Sequence, residues 1–261
     1  MDIKILIAAH KPYTVPKDSM YLPLHVGKAG KADIGFVGDD TGDNISAKNP
    51  YYCELTGIYW AWKNLQADYI GLCHYRRHFT LAKRFPKTEA ERFDVLLTGE
   101  QAEALLHQTD ILLPKARNYY IENLYDHYAH TLHIEPLDEA GRIIAEKCPE
   151  YLSEFNKLHQ RKSAHMFNMF VMKKEHFDAY CAWLFDILFE LEKRFDPSRY
   201  DAFHARYLGR VSELLMDVWL NTNALSYREV GLIDMQNVNW FKKGMAFLAA
   251  KFTGKKYRGS F

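Results

Sequence analysis

"DYIGLCHYRR", residues 68–77, joins an apolar run to a strongly basic end. The run Asp68–Cys73 is short and continuous, which is typical of a strand buried in a parallel sheet. It leads without a break into His74, Tyr75, Arg76 and Arg77. Two adjacent arginines at the carboxyl end of a strand can offer planar, bidentate forks to phosphate oxygens. Surface arginines or one buried ion pair are the alternatives, and the sequence favours neither over phosphate binding.

Other apolar runs alternate with segments of helical spacing. The predicted strands are Ile3–Ala9, the weaker Ala32–Gly38, Asp110–Pro114 and Met166–Met172. The predicted helices start at Asn49–Pro50 and at a Thr98/Gln101 capping box, fill most of residues 119–160 with breaks near Pro136 and Pro149, and include Phe177–Phe195 and Arg210–Asn221. This alternation indicates an α/β fold, a mostly parallel sheet flanked by helices with a helical C-terminal portion.

Polar side chains follow several of the predicted strands. Ligands of parallel sheets gather outside the carboxyl ends of the strands. That rule selects His10 and Lys11 after the first strand, the His74–Arg77 segment, the residues after Pro114, and Asn168. We therefore expect these groups to border one binding site.

A polar stretch, "TGDNISAKN", occupies residues 41–49 and precedes a predicted helix. Lys48 is a point charge that suits phosphate, and Asp43, Asn44 and Ser46 can hold hydroxyl groups. Asn49 stands at the helix start, where backbone N–H groups favour anions. The alternative is a capped, solvated turn, which the spacing alone favours slightly.

Two sets of acids are candidates for chemistry. Asp39, Asp40 and Asp43 cluster in one loop and offer the oxygen ligands that Mg²⁺ or Mn²⁺ prefers, although an ordinary acidic loop is the favoured alternative. Glu213 lies early in a predicted helix between apolar neighbours, where partial burial would raise its pKa and suit it to act as a general base. A plain helix glutamate paired with Arg210 is the alternative that sequence alone favours.

Composition restricts the partners and the compartment. A net charge of +1 gives no sign of a nucleic-acid partner. The four cysteines form no CxxC pair, and no run approaches the roughly 18 apolar residues of a membrane span, so a reduced, cytoplasmic protein without structural zinc is expected. Residues 239–261 carry six basic residues, no acid and interleaved aromatics. We expect a domain of residues 1–238 and a tail that contacts an anionic membrane surface, or else a docked C-terminal helix. Oligomeric state is not encoded in these patterns.

Several segments together resemble one bacterial family. They are "HKPY", "YLPLHVG", "TGDNISAKNPYYCELTGIYWAWKN", "DYIGLCHYRRHF", "DILLPKARNYY", "FNMFVM" and the tryptophan of "MDVWL". In this order they resemble the capsular and exopolysaccharide glycosyltransferase family first filed as domain of unknown function 4422. The resemblance covers nearly the whole chain.

That resemblance implies a GT-A-like, Rossmann-type fold that transfers a sugar from a UDP-sugar, galactofuranose in some members, to a hydroxyl of a lipid-linked glycan. Many GT-A enzymes have a metal-binding D-x-D where this chain has "HYRR", so Arg76, Arg77 and Lys48 are expected to stand in for the metal, and no cofactor is expected to be required. Glu213 lies roughly where inverting GT-A enzymes carry their base, and Asp43 is the second choice.

The same resemblance assigns the remaining candidates. Asn44, Asn49 and Asn168 would hold hydroxyls of the donor sugar, and His10 and Lys11 would contact the nucleotide. Residues 41–49 then become the candidate donor loop. The alternative function is a non-catalytic nucleotide- or glycan-binding subunit of a polysaccharide assembly, which would use the same arginines and aromatics for binding alone.

Overall fold

The structure is a computed structural model that describes residues 1–236. The predicted tail, residues 239–261, lies outside the described residues, so its separation from a domain of residues 1–238 stays a prediction. Within the described part of the chain, no helix combines the length and the apolar character needed to cross a membrane.

A mixed sheet lies at the centre of residues 1–236. The strands are β1 Ile3–Ala9, β2 Tyr21–His25, β3 Val37–Gly38, β4 Tyr69–His74, β5 Arg77–Thr80, β6 Ile111–Pro114, β7 Arg117–Asn118, β8 Ser163–Ala164, β9 Phe170–Lys173 and β10 Arg228–Asp234. Eight of them form the main sheet in the order β3-β2-β1-β4-β5-β10-β6-β9, and β9 also pairs with β4. The other two, β7 and β8, form a small separate sheet.

The α/β class is confirmed, and its parallel part is β3-β2-β1-β4. Beyond β4 the sheet is mixed, because β5 and β9 run antiparallel to their neighbours while β10 and β6 are parallel. The prediction of a mostly parallel sheet is therefore correct for the half formed by β3, β2, β1 and β4, and the other half is mixed. The register of the parallel half aligns Ala8 with His74 and Ala9 with His25, so β1, β2 and β4 end at one edge.

Helices cover the two faces of the sheet unequally. The α-helices in residues 1–236 are α1 Asn49–Tyr52, α2 Leu55–Asn64, α3 Glu89–Phe93, α4 Gly99–Leu106, α5 Leu124–Thr131, α6 Glu135–Lys147, α7 Leu152–Asn156, α8 Lys174–Arg194 and α9 Tyr207–Thr222. Leu6 and Ala8 of β1 pack on the face covered by α2, α8 and α9. Ile5 and Ile7 point to the opposite face, against α4. Alternate residues of one buried strand thus serve two cores.

Several local expectations hold and several need correction. The Thr98/Gln101 capping box opens α4 as predicted. The weak strand at 32–38 shrinks to Val37–Gly38, and the strand predicted from Met166 begins at Phe170. Pro136 lies in the first turn of α6 and so opens a helix, as proline can where no N–H is needed. The strands β2, β5 and β10 were missed, because a proline or a charged start masks their apolar pattern.

The predicted helix after Pro50 is interrupted. Cys53 has a φ of +53° and separates α1 from α2. A side chain rarely adopts this left-handed region, so the break is a specific, strained feature. Asn49 is the first residue of α1 and not its N-cap, and its amide donates forward to the Cys53 carbonyl at 2.8 Å and to Thr56 Oγ1 at 3.3 Å.

Gly71 allows β4 and β9 to approach closely. A Cβ at this position would lie 2.6 Å from the Phe170 carbonyl oxygen, which is backbone and cannot move aside. We expect Gly71→Ala to lower the free energy of unfolding by about 1–3 kcal/mol, measured by urea denaturation. Gly209→Ala is the matched control, because its added Cβ meets neighbours at an ordinary 3.5 Å. Equal stability of the two variants would contradict the β4–β9 pairing.

Candidate active site

Positive charge concentrates at the carboxyl edge of the parallel strands. His10 follows β1, and partial burial together with four nearby positive charges lowers its pKa. The four are Lys11, Lys31, Arg76 and Arg206, called here the cationic cluster. Among residues 1–236 none of these four side chains pairs with a carboxylate. Cations held near one another without an ion-pair partner favour an anionic ligand.

The Tyr75 ring contacts two members of the cationic cluster, Lys11 and Arg76. The ring is buried and lies edge-on to His10, with centroids 5.2 Å apart. The Lys11 ammonium lies 5.2 Å from the ring centroid and the Arg76 guanidinium 5.5 Å. Tyr75 and Arg76 are the two turn residues of the β4–β5 hairpin, in which His74 pairs with Arg77. The tight turn therefore leaves the Arg76 side chain exposed, with its guanidinium over the Tyr75 ring.

The start of α9 adds two half-buried arginines. Arg206 is the N-cap residue, and its Nε donates to the Cys53 thiol at 3.0 Å. Arg210 lies one turn later, where burial lowers its pKa, and it stacks on the Phe203 ring at 3.9 Å. The first turn of α9 contains no acid. Basic residues at the positive end of a helix are unfavourable unless an anion joins them, so this arrangement points to a bound anion.

The adjacent arginines of "HYRR", Arg76 and Arg77, have different partners. Arg77 Nε donates to Asp234 Oδ1 at 2.8 Å, and its guanidinium lies 4.1 Å from the Phe167 ring centroid. Arg76 has no such counterion in residues 1–236. Of the two, only Arg76 keeps its charge open to a ligand.

Glu213 is a half-buried carboxyl on α9 without a hydrogen-bond or ion-pair partner among residues 1–236. Burial and then the negative charge of Glu54 raise its pKa to about 7, against the opposing charges of three arginines. The three are Arg77, Arg117 and Arg210. The pairing of Glu213 with Arg210 that sequence alone favoured is absent. A carboxyl that exchanges its proton near neutral pH and keeps part of its surface open can act as a general base.

Asn168 connects the second acid, Glu54, to α9. Its Nδ2 donates to Glu54 Oε1 at 2.8 Å and to the Gly209 carbonyl at 3.1 Å, while Ser212 Oγ donates to its Oδ1 at 2.5 Å. The amide is buried and fully used. Asn168 therefore positions Glu54 and is not free for a sugar hydroxyl. Glu54 was missed by sequence reasoning, because its position depends on the helix break at Cys53, which the sequence does not show.

A strained turn places Asn168. Phe167 and Asn168 both have positive φ, +78° and +53°. Two consecutive left-handed residues cost free energy and persist only where surrounding contacts hold them. His74 Nε2 donates to the Phe167 carbonyl at 2.7 Å, and burial lowers the pKa of His74. His74 thus serves as a neutral donor to backbone and does not contribute a phosphate-binding charge.

The polar loop 41–49 is largely occupied by its own contacts. Ser46 Oγ donates to the buried Asp39 carboxylate and accepts from the Ala29 amide at 3.0 Å. Asn44 bonds within the turn, to the Gly42 carbonyl and the Ser46 amide. Most of these polar groups therefore have partners without any ligand, as expected for the capped turn.

Two further loop residues are also committed elsewhere. Lys48 Nζ donates to Glu192 at 2.6 Å and lies near the Tyr52 ring, so its charge is already compensated. Asp43 is exposed and accepts from Tyr59 OH at 3.1 Å. Within residues 1–236 neither Lys48 nor Asp43 has a hydrogen bond or ion pair with Glu213 or with the cationic cluster, so neither belongs to the proposed site.

Asp39, Asp40 and Asp43 do not converge as ligands for an ion. The Asp39 carboxylate accepts from the Gly27 and Lys28 amides at 2.8 and 3.0 Å as well as from Ser46. Both oxygens of the Asp39 carboxylate already accept hydrogen bonds from the protein, so this carboxylate has a structural role and is not placed as a metal ligand. Its contacts instead order the segment after β2 that carries Lys31. Within residues 1–236 the acids and histidine that do converge are Asp110, Glu175 and His176, which lie at the opposite edge of the sheet.

The chain belongs to the family described as "Domain of unknown function (DUF4422)", whose model matches residues 4–224. A solved structure described as "WbbM bifunctional glycosytransferase apo structure" is 35% identical in sequence and superposes with a TM-score of 0.83. The match covers 91% of this chain and 46% of that one, so the chain spans about half the length of that protein. A search of curated proteins gave no match. The family resemblance and the glycosyltransferase-like fold are confirmed.

The raised pKa of Glu213 predicts a cost in stability. A carboxyl with a folded-state pKa of about 7 resists ionisation between the ordinary value of 4.5 and that value, so the fold loses stability as pH rises through this window. We expect Glu213→Gln to be more stable than the natural chain by about 1–3 kcal/mol at pH 8 and about equal at pH 4. Urea denaturation at both pH values measures this. Glu100→Gln controls for the loss of one charge, and a gain independent of pH would contradict the assignment.

Proposed function

We propose that this chain is a glycosyltransferase that moves a sugar from a UDP-sugar to a hydroxyl of a lipid-linked glycan in capsular, exopolysaccharide or O-antigen synthesis. Support comes from one juxtaposition within residues 1–236: the carboxyl of Glu213, which has no hydrogen-bond or ion-pair partner there, lies on the helix that begins directly after Arg206, a member of the cationic cluster. The family and the similarity to the glycosyltransferase WbbM favour this class of reaction. Galactofuranose is the donor sugar to test first, because the sequence resembles enzymes assigned to it.

The cationic cluster would hold the diphosphate of the donor. Lys11 and Arg76 reach it from the strand ends, and Arg206 reaches it from the start of α9. As the bond between the anomeric carbon and the diphosphate oxygen breaks, its electron pair leaves with UDP. Cations held close to the departing oxygen stabilise this developing charge. His10, beside them, would contact the nucleotide as a neutral ring.

Glu213 would activate the acceptor. The acceptor oxygen forms the new bond to the anomeric carbon, and its proton passes to the Glu213 carboxylate. Attack opposite the departing diphosphate inverts the configuration at that carbon. Glu54, fixed by Asn168, raises the pKa of Glu213 by its negative charge and so makes Glu213 a stronger base. The alternative, a non-catalytic binding subunit, would leave this unpartnered carboxyl without a role.

Binding of UDP is the first test of the cationic cluster. We expect UDP at millimolar concentration to raise the melting temperature, since a ligand that binds only the folded state stabilises it. Arg206→Gln should weaken UDP binding by about ten-fold or more, because a charge-assisted hydrogen bond is lost. Arg199→Gln, which removes an exposed arginine of the preceding 3₁₀ turn, is the matched control. No thermal shift with any nucleotide would contradict the proposed donor.

Turnover separates the enzyme from the binding subunit. Incubation with a panel of UDP-sugars should release UDP slowly from one donor, and Glu213→Gln should reduce this release by about 100-fold or more while UDP affinity persists. Unchanged release in the variant would remove Glu213 from its role. We further propose that the cations replace a metal, so release should continue in excess EDTA. Loss in EDTA with rescue by Mn²⁺ would overturn that part of the proposal.

The basic tail is proposed to hold the enzyme at the inner face of the plasma membrane, near a lipid-linked acceptor. Support comes from sequence alone: residues 239–261 carry cations and aromatics without an acid. Co-sedimentation with phosphatidylserine vesicles should fall when residues 239–261 are removed and when salt is raised. Binding indifferent to both changes would contradict this role, and neutral vesicles serve as the control.

A further inference from the structure

A buried histidine outside the cationic cluster joins three elements that border Glu213. His165 precedes the strained Phe167–Asn168 turn by two residues and is 5% exposed. Its Nδ1 bonds Asp217 Oδ1 at 2.5 Å, its backbone N–H donates to Asp217 Oδ2 at 3.0 Å, and its Nε2 bonds Glu229 Oε1 at 3.1 Å. Both ring nitrogens thus face carboxylates, which suits the doubly protonated ring.

Each carboxylate partner belongs to an element that carries a site residue. Asp217 lies one turn after Glu213 on α9, so its contact with His165 fixes that part of the helix. Glu229 Oε1 also accepts from the Ala116 amide at 2.9 Å, directly before Arg117. The charge of Arg117 is one of those that reach Glu213. His165 therefore links α9, the segment of Arg117 and the turn of Phe167 and Asn168.

We propose that His165, in its protonated form, is a positioning residue for the Glu213 site. It holds the strained Phe167–Asn168 turn between α9 and β10, and through that turn it fixes Glu54, which Asn168 binds, and His74, which binds the Phe167 carbonyl. This role deepens the proposed glycosyltransferase function and rests on it. His165 itself has no contact with Glu213 in residues 1–236.

The charge state of His165 makes the linkage depend on pH. Burial alone would lower its pKa, but the hydrogen bonds and charges of Asp217 and Glu229 outweigh burial and raise it. Tyr227 also faces the ring, edge-on at 4.9 Å, and Arg161 lies near Tyr227. A histidine with a raised pKa contributes its stabilisation fully below the ordinary value of 6.5 and loses it as pH rises through the folded-state pKa. The contacts of the His165 ring with Asp217 and Glu229 therefore weaken as pH rises through the folded-state pKa of His165.

Two titrations then define the pH profile of donor turnover. Glu213 must lose its proton, which gives an acid limb near pH 7. His165 must keep its proton, which gives the alkaline limb. Glu229→Gln retains an oxygen that accepts from Ala116 but removes one negative charge beside His165. We expect this variant to shift the alkaline limb to lower pH and to leave the acid limb in place. Glu100→Gln, an exposed glutamate on α4, is the control.

Nuclear magnetic resonance keeps this inference separate from the proposed activity. The His165 ring proton gives its pKa directly, and the backbone amides of Phe167, Asn168 and Arg117 should shift with the same midpoint in the natural chain. In Glu229→Gln all four midpoints should fall together. Amides that do not follow the His165 midpoint would overturn the inference even if no donor is turned over. An alkaline limb that stays fixed while the His165 pKa falls would also overturn it, and the proposed function would survive.

Discussion

The buried amide of Asn168 is the contact on which the described site depends. It accepts from Ser212 and donates to Glu54 and to the Gly209 carbonyl, so one side chain joins the turn before β9, the start of α2 and the first turns of α9. An amide suits this place because it offers donors and an acceptor without a charge. Loss of it would remove a partner from Glu54 at the start of α2 and from Gly209 and Ser212 on α9, and each buried polar group left unpaired costs about 1–3 kcal/mol.

Around this contact the molecule retains features that oppose stability. Within residues 1–236 Glu213 has no ion-pair partner, Arg206 and Arg210 stand at the positive end of a helix, and Cys53 and Phe167 adopt left-handed backbone. Elsewhere in residues 1–236 many acids are paired, for example Glu139 and Glu146 with Arg194. Local conflicts of this kind concentrate where a protein binds or reacts, because the ligand supplies the missing partner.

Much of the sheet could be predicted from the sequence, because β1, β4 and β6 are mostly apolar runs. The same pattern also predicted that polar groups gather at the carboxyl edge of the sheet. Partners in space could not be predicted. Arg77 is neutralised by Asp234, 157 positions away, and Lys48 by Glu192, 144 positions away. Neither pairing leaves a periodic trace, so two of the three arginine and lysine candidates for phosphate were assigned without knowledge of their counterions.

The proposed role of Glu213 was reached by resemblance, and the burial and charges around its carboxyl appear only in three dimensions. Spacing suggested an ordinary pair with Arg210, but the guanidinium stacks on Phe203 instead. Glu54 and Arg206 gave no signal, since their value arises from the strained break at Cys53 and from the N-cap position of α9. Backbone strain and helix-end charge are properties of a folded chain, which explains why short motifs such as "HYRR" identify the region and not the individual contacts.

The late position of β10 has a consequence for biosynthesis. Its strand pairs with β5 and β6, it carries the counterion of Arg77, and it supplies Glu229 to His165. These contacts span 64 to 157 residues, and non-local contacts form slowly because the loop must close first. Residue 234 must leave the ribosome before this part of the sheet can be completed. Until then the nascent chain lacks the strand that pairs with β5 and β6 and the carboxylates that Arg77 and His165 contact on it.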